Sequence, residues 1–299
     1  MQLLKRFGWF FAVNILIIAT ISIATSLLGL NRYMTAYGLN YTALAGLCLI
    51  WGFGGAFISL GLSRIIAKFT MGVQLIDPEK ATGHERDLVN TVYQFAQKAG
   101  ISTMPQVGIY QSPDLNAFAT GPTRNRSLVA VSTGLLNSMS KKEIEGVLAH
   151  EVAHIANGDM VTMTLVQGVV NAFVMFIARI IGFAVSQTVK EENRHLVNML
   201  VVLVCDILLG ILGSIAVAWF SRLREYRADE GGASLGGRAN MIAALERLQR
   251  GYSSMEPDSA PQSVAAFRIS NKRGGLLAAF STHPPLEERI ARLKSQSGF

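Results

Sequence analysis

Two histidines four residues apart, with a glutamate directly after the first, stand in the segment LAHEVAHIANGD at positions 148–159. On an α-helix four residues turn the chain by about 400°, so the side chains of His150 and His154 share one face. Two imidazoles at that spacing can bind one zinc ion, and Glu151 beside them can accept a proton from water. Chance produces this pattern in roughly one chain of this length in a hundred. The segment therefore predicts a metal site.

The residues around the pair predict the helix that this geometry requires. Ser140 followed by Glu143 is typical of a capping box. Apolar residues then recur at helical spacing as far as Ile155, and Asn157–Gly158 is a usual C-terminal signal. We expect a helix that begins near Lys141 and ends near Asn157.

A catalytic zinc site needs a third protein ligand and an open fourth position. Several nearby candidates are weak. Met160 stands where some zinc sites carry a third histidine, and Asp159 lies beyond the predicted helix end, where it suits a cap or an outer partner of a ligand. His84 stands at a helix start and His195 in a polar loop, and both are interpreted as surface residues.

The segment SRLREYRADE offers a better candidate, because Glu225 and Asp229 lie four residues apart on one helical face. Glu225 can complete a set of two histidines and a glutamate, and Asp229 can orient a ligand histidine through its ring N–H. A solvated, arginine-rich helix explains the spacing equally well. Two apolar segments separate His154 from Glu225, so two membrane crossings would return the chain to the side it left.

The composition predicts a membrane protein. Of 299 residues, 50% are hydrophobic and 16% are charged, whereas soluble domains carry about 25% charged residues. Mean hydropathy is +0.34. Apolar residues concentrate at about 7–30, 42–62, 160–187 and 196–220, and each segment reaches the roughly 20 residues that cross a bilayer as a helix. We expect four transmembrane helices in two hairpins, the first a retained anchor rather than a cleaved signal peptide.

The remaining segments have the composition of a soluble domain with helices and strands. Glu85–Ala99 has a helical pattern, and the β-like runs Gln106–Tyr110, Asn116–Thr120 and Ser127–Ser132 follow it. Gly251–Gln262 is interpreted as a linker. The predicted organisation is an N-terminal transmembrane hairpin at 1–68, a first soluble part at 69–159, a second transmembrane hairpin at 160–220 and a second soluble part at 221–299.

The net charge of +7 invites a nucleic-acid partner, but no recognition motif accompanies it, and we expect none. The basic residues lie beside apolar segments, as cytoplasmic flanks do in membrane proteins. The opposite loops carry Arg32 alone in one case and the near-neutral KEENRH in the other. Both termini and the histidine pair are therefore predicted to face the cytoplasm. The flanking basic residues are Lys5, Arg6, Arg64, Lys68, Arg222, Arg224 and Arg227.

Two charges stand inside the second pair of apolar segments, where an unpaired charge is costly. Arg179 lies 13 residues before Glu192, at the centre of the turn, and Asp206 lies 14 residues after it. Antiparallel helices would place them at nearly the same depth, so we expect an ion pair. Tilted helices that let both charges reach water or line a polar cavity are the alternative.

Four segments together resemble the HtpX-type family of membrane zinc metallopeptidases: HEVAHIANGD, EYRAD, NAFATG at 116–121 and STHPPLEERI at 281–290. The resemblance covers essentially the whole chain. It implies one Zn²⁺ per subunit with His150, His154 and Glu225 as ligands, and Glu151 as the general base. It also implies a mixed α/β fold of the gluzincin type.

The same resemblance implies a substrate-binding edge strand at Asn116, Ala117, Phe118 and Ala119. It implies a multi-pass protease of the bacterial inner membrane that removes misfolded or damaged membrane proteins, alongside other membrane quality-control proteases. A donor near the metal should stabilise the oxyanion, and His283 and Tyr226 are the candidates, although a structural histidine in the THPP turn is an equal alternative.

Two other functions are weighed beside this one. A prenyl-protein processing protease is disfavoured because those relatives have more membrane helices. A non-catalytic zinc-binding membrane scaffold would not need Glu151.

Overall fold

The computed structural model describes residues 2–30, 32–35, 38–254 and 279–295. The predicted linker from Gly251 to Gln262 is wrong in its first part, because residues 251–254 end a helix, and the rest of it lies outside the described residues. The helices are α1 (Gln2–Leu27), α2 (Tyr41–Met71), α3 (Gly83–Lys98), α4 (Thr133–Ser138), α5 (Lys141–Asn157), α6 (Asp159–Ser186), α7 (Glu191–Gly236), α8 (Arg238–Ser254) and α9 (Leu286–Ser295). The strands are β1 (Met34–Thr35), β2 (Gly38–Leu39), β3 (Gln74–Leu75), β4 (Gln106–Tyr110), β5 (Ala117–Thr123) and β6 (Arg126–Ser132).

The chain divides into two compact units, one of Met1–Leu60 and Thr162–Val217 and one of Gly61–Val161 and Ala218–Phe299. Contacts between residues define these two units. They do not test the bounds of the four predicted domains, which remain a prediction. Within the described residues, α2, α6 and α7 are long and apolar enough to cross a membrane. The apolar stretch described in α1, Asn14–Leu27, is shorter, so the fourth crossing stays a prediction.

Close helix packing organises the apolar unit. Leu44, Cys48 and Ala172 form a buried cluster, and a Cβ added at Gly52 would lie 2.7 Å from the backbone nitrogen of Ala172. Glycine is therefore required where α2 meets α6. The helix that contains the fourth apolar segment does not end with that segment near residue 220, because α7 continues to Gly236. Glu225 and Asp229 thus lie on the same helix as that segment.

The second unit contains a four-stranded sheet of order β3-β4-β6-β5, in which β4 and β6 are parallel and the other pairs antiparallel. β6 is buried along Ser127–Ser132, which explains its nearly continuous apolar run. β5 pairs with β6 on one side and forms an edge of the sheet. The main core lies between the sheet and helices α3 and α5, and includes Val92, Val129 and Leu148.

Local signals place α5 at the predicted residues. The backbone nitrogen of Ser140 donates to Glu143 Oε2 at 2.7 Å, and the reciprocal bond completes the capping box. At the other end Gly158 adopts φ 69°, a left-handed conformation that favours glycine and ends the helix. α6 begins at the next residue, Asp159, so a turn of one residue joins the two helices.

Candidate metal centre

Two histidines of α5 and a glutamate of α7 meet in one buried cluster. His150 Nε2 and His154 Nε2 lie 3.0 Å apart, and they lie 3.5 and 3.4 Å from the two carboxylate oxygens of Glu225. The histidines are 8% exposed and Glu225 is 1% exposed. Their ligand atoms all lie within 4.8 Å of one another. By contrast, His84 and His195 are exposed, in agreement with their interpretation as surface residues.

The donor set fits a divalent metal. Both oxygens of Glu225 are buried and have no hydrogen-bond partner of acceptable geometry among the described residues, although His283 Nδ1 lies 2.9 Å from one of them. A buried carboxylate without such bonds is costly unless a cation compensates it. Two imidazoles and one carboxylate are the ligands of many catalytic zinc sites.

A carboxylate stands behind each histidine. His150 Nδ1 lies 3.0 Å from Asp229 Oδ1, and His154 Nδ1 lies 2.5 Å from Asp159 Oδ2. Such partners hold the ring so that Nε2 is directed at the metal and make that nitrogen a better ligand. The sequence indicated both positions as outer partners, although for Asp159 a helix cap was the alternative.

Sequence reasoning gave no role to Arg289, which the structure places at the centre of this network. Its Nε and Nη2 donate to the two oxygens of Asp229 at 2.7 and 2.6 Å, and its Nη1 lies 3.4 Å from Glu225 Oε2. The side chain is buried, at 6% exposure. A signal was present, because Arg289 shares the core-facing stripe of α9 with Leu286, Ile290 and Leu293.

Two arginines that the sequence indicated as topology signals have partners at the site or in the segment that precedes His283. Arg224 lies 3.9 Å from Asp159 Oδ2 and 3.8 Å from Glu225 Oε1. Arg222 Nη1 donates to the carbonyls of Ala279 and Ser281 at 3.1 and 2.7 Å. These two positive charges therefore have a structural reason to be present that is independent of membrane orientation.

The charges of the cluster are mutually stabilised. Burial disfavours the charged form of His150, but the carboxylates of Asp229 and Glu225 outweigh it and raise the pKa of the imidazole to about 9. Burial likewise opposes the charge of Arg289, but Asp229 and Glu225 raise its pKa above the ordinary value. A histidine binds metal only when neutral, so metal binding at His150 must displace a proton.

A cavity of about 210 Å³ is lined by His150 and Glu225, two of the three candidate ligands. Glu151 is half-buried, follows His150 on α5, and lines this cavity. His283 lines it as well, with 54% of its side chain exposed. A carboxylate in this position can exchange a proton with a water or a leaving group inside the cavity.

The predicted edge strand borders the same cavity through its first residues. Asn116 and Ala117 line the cavity. Phe118 lies on the opposite face of β5 and packs against Tyr110, with ring centroids 5.6 Å apart, whereas Ala119 packs against the main core. Among the described residues β5 has a strand partner on one side alone, so its other edge can receive an extended peptide.

Comparison with known proteins assigns the chain to a family. The model of “Peptidase family M48” matches residues 83–297. The “Protease HtpX homolog” of Thiobacillus denitrificans is 51% identical over 295 residues, which are 98% of this chain and 99% of the relative. The “Protease HtpX” of Shewanella baltica is 52% identical over 299 residues, with 98% and 100% covered. This chain belongs to peptidase family M48, among the HtpX proteases.

The family membership confirms the prediction of a membrane metalloprotease. The crystal structure of Ste24p from S. mikatae has the same fold, with a TM-score of 0.63 at 17% identity. The match covers 97% of this chain and 66% of that one. A mostly helical membrane protein with an M48 peptidase domain is therefore confirmed, and the count of four crossings and the gluzincin type remain predictions.

The two candidate oxyanion donors of this HtpX-family protease have different surroundings. His283 Nδ1 lies 2.9 Å from the candidate ligand Glu225. Tyr226 instead donates its hydroxyl to Glu288 Oε1 at 2.6 Å, and the guanidinium of Arg292 lies 4.7 Å from its ring centroid. Among the described residues that line the cavity, His283 is present and Tyr226 is not.

Proposed function

We propose that this protein is a zinc-dependent endopeptidase of a bacterial inner membrane that cleaves misfolded or damaged membrane proteins. One zinc ion per subunit is held by His150, His154 and Glu225. The observation that supports the proposal is that Glu151 lines the same cavity as His150 and Glu225, two members of the buried cluster of His150, His154 and Glu225.

The chain's own residues have distinct tasks in this reaction. A zinc ion at the cluster supplies a Lewis acid that polarises the scissile carbonyl and brings the pKa of water to about 7. Glu151 takes the proton of the attacking water and returns it to the leaving amine. His283 donates to the oxyanion, and a donor of this kind contributes roughly 3 kcal/mol. Asp229 and Asp159 keep the ligand imidazoles oriented.

The substrate is an extended segment of an unfolded protein that pairs with the free edge of β5. Main-chain hydrogen bonds provide most of the affinity in this binding mode, and they depend weakly on side chains. Broad specificity of this kind suits the removal of damaged proteins, in cooperation with other membrane quality-control proteases.

We further propose four membrane crossings, a gluzincin-type fold, and an active site and both termini on the cytoplasmic side. The lysines and arginines beside the apolar segments support this orientation, because such residues are enriched on the cytoplasmic side of membrane proteins. Arg222 and Arg224 contribute less to it than their positions suggest, because both are engaged near the site. Lys5, Arg6, Arg64, Lys68 and Arg227 carry the argument.

Cleavage of an unmodified, denatured protein by the purified enzyme tests the proposal. We expect proteolysis that a chelator abolishes and that Zn²⁺ restores. A requirement for a prenylated substrate would favour the prenyl-processing alternative, and zinc binding without any cleavage would favour the scaffold.

The variant Glu151→Gln isolates the base. Glutamine has nearly the same shape and leaves the three ligands in place, so we expect bound zinc at the wild-type level and cleavage reduced by at least about 100-fold. Metal content and proteolysis are measured on the same preparation. Cleavage near the wild-type rate would contradict the assigned mechanism.

A further inference from the structure

His283, the candidate oxyanion donor, lies on a short segment that precedes α9. Its side chain is 54% exposed, and its Nδ1 lies 2.9 Å from Glu225 Oε2. A ring with this exposure has little surrounding protein to hold it, so the path of its backbone decides where its nitrogens lie. A donor has to stand about 3 Å from the oxyanion to stabilise it. The residues that fix this backbone therefore matter for the reaction.

The chain after His283 is fixed by local stiffness and by packing. Pro284 and Pro285 lock their own φ at about −65°, and a residue that precedes a proline is restricted to extended conformations. Pro284 is buried, and Leu286, the first residue of α9, belongs to a core cluster. The C-terminal side of His283 is therefore anchored by the residues that follow it.

The chain before His283 is held by an arginine of α7. Arg222 Nη1 donates to the carbonyls of Ala279 and Ser281 at 3.1 and 2.7 Å. An Nη nitrogen carries two hydrogens, so both bonds can form at once. Ser281 Oγ donates in turn to the carbonyl of His283 at 2.6 Å. A continuous chain of hydrogen bonds thus leads from Arg222 to the backbone of His283.

The hydrogen bonds from Arg222 are suited to hold this segment firmly. A hydrogen bond from a charged donor is shorter and stronger than one from a neutral donor. The side chain of Arg222 and both acceptor residues are half-buried, which limits competition by water. Arg222 stands three residues before Glu225 on the same helix. One rigid element therefore sets the place of the candidate ligand and, through Arg222, the place of His283.

Three further contacts join the same face of α7 to α9. The α7 residues of this face stand at the spacing i, i+4, i+7 and i+8, which starts at Arg222. The pairs are Tyr226 with Glu288, Asp229 with Arg289, and Glu230 with Arg292. All three pairs lie beyond His283 in the sequence. Of these four contacts, the one made by Arg222 therefore acts on the backbone before His283.

We propose that Arg222 is a positioning residue for peptide hydrolysis, which holds residues 279–283 so that the imidazole of His283 reaches the oxyanion. The proposal rests on the proposed endopeptidase function and on the donor role of His283. Arg222 is not among the described residues that line the cavity, so it acts through His283. Loss of its donor should slow the chemical step and leave substrate binding and bound zinc unchanged.

The test uses the full-length enzyme in detergent and a quenched fluorescent peptide that spans a bond cleaved by the wild type in denatured casein. Values of kcat are expressed per bound zinc, so that loss of folded enzyme does not enter the comparison. Arg222→Met keeps an aliphatic stem without a donor. We expect it to lower kcat by at least about 10-fold, because a small misplacement of a reacting group is costly, and to leave KM nearly unchanged.

The conservative variant Arg222→Lys tests whether the charged donor is the cause. One nitrogen of Arg222 makes both bonds to the segment, and a lysine nitrogen carries three hydrogens on a flexible stem. We expect Arg222→Lys to recover most of the kcat that Arg222→Met loses. An unchanged kcat in Arg222→Met, or an equal kcat in the two variants, would overturn the proposal.

A double-mutant cycle separates positioning from a general structural role. His283→Ala removes the donor and should lower kcat by about 100-fold. Arg222→Met added to His283→Ala should cause little further loss, because its effect requires the imidazole. If Arg222→Met lowers kcat by the same factor in the wild type and in His283→Ala, Arg222 does not act through His283 and the proposal is refuted.

A matched control is Arg227→Met. Arg227 is exposed on the same helix, so this variant should keep the wild-type kcat. A loss as large as that of Arg222→Met would assign the effect to removal of charge from α7 and contradict the proposal. Wild-type kcat in His283→Ala would refute the positioning role and leave the endopeptidase function intact. Absence of chelator-sensitive cleavage in the wild type would instead refute the proposed function itself.

Discussion

Arg289 and Asp229 form a buried ion pair directly behind the candidate ligands. Asp229 Oδ1 accepts from Arg289 at 2.6 Å and also lies 3.0 Å from the ring of His150. The arginine therefore compensates the carboxylate that orients the histidine. If one partner of a buried pair is removed, an uncompensated charge remains, and this costs about 3–5 kcal/mol.

We predict that Arg289→Met lowers zinc affinity by about 10- to 100-fold. The added change Asp229→Asn should restore part of this loss, because it removes the uncompensated charge and retains an oxygen that can accept from His150. Competition with a chelator measures the affinity of wild type, both single variants and the double variant. Strictly additive effects of the two changes would show that the pair does not act as a unit.

Glu225 and His195 lie on the same helix but differ in their surroundings. Glu225 is buried beside both histidines, whereas His195 is exposed near the start of α7. We predict that Glu225→Ala loses bound zinc after dialysis, because two imidazoles alone hold the metal weakly. His195→Ala serves as the control and should retain one equivalent. Equal zinc content in the two variants would exclude Glu225 as the third ligand.

Arg179 of α6 and Asp206 of α7 are close together, as the count from the turn predicted. Arg179 Nη1 lies 3.9 Å from Asp206 Oδ1 and donates to the carbonyl of Met175 at 3.0 Å. The distance is long for an ion pair, and both side chains retain some exposure. In an apolar environment even this contact can hold two helices in register.

A double-mutant cycle tests the pair. We expect Arg179→Leu and Asp206→Leu each to lower thermal stability in detergent more than the double variant does, because each single change leaves one charge without its partner. Arg179→Leu combined with Glu192→Leu is the matched control, since Glu192 is exposed in the first turn of α7. A coupling energy of equal size between Arg179 and Glu192 would contradict a specific pair of Arg179 and Asp206.

The orientation of the whole molecule in the membrane is open to chemical labelling. Cys48 and Cys205 are the two cysteines of the chain, and their replacement by alanine allows a single cysteine to be introduced. Lys142 and Glu192 are exposed, and the proposed orientation predicts that they lie on opposite sides of the membrane. In spheroplasts an impermeant maleimide should label Glu192→Cys directly and Lys142→Cys only after permeabilisation. The reverse pattern would place the metal centre outside the cytoplasm.

Short stretches of sequence correctly predicted the helix ends and strands whose formation depends on residues close together in the chain. The capping box of Ser140 and Glu143, the helix that ends at Asn157 and strand β4 lie at the predicted residues. Hydrogen bonds and side-chain periodicity within a few residues determine such elements. The composition likewise indicated membrane segments, because a stretch of about 20 consecutive apolar residues is typical of a helix that crosses a bilayer.

The features that the sequence left open join distant parts of the chain. Spacing allowed Glu225 to be either a ligand or part of a solvated helix, and the fold buries it against two histidines more than 70 residues earlier. Arg289 acquires its role only where α9 packs beside α7. Glu151 of α5 and Leu248 of α8 line one cavity only after the two helices pack together. Burial and charge compensation between remote segments depend on the packing of the whole chain, which no local pattern specifies.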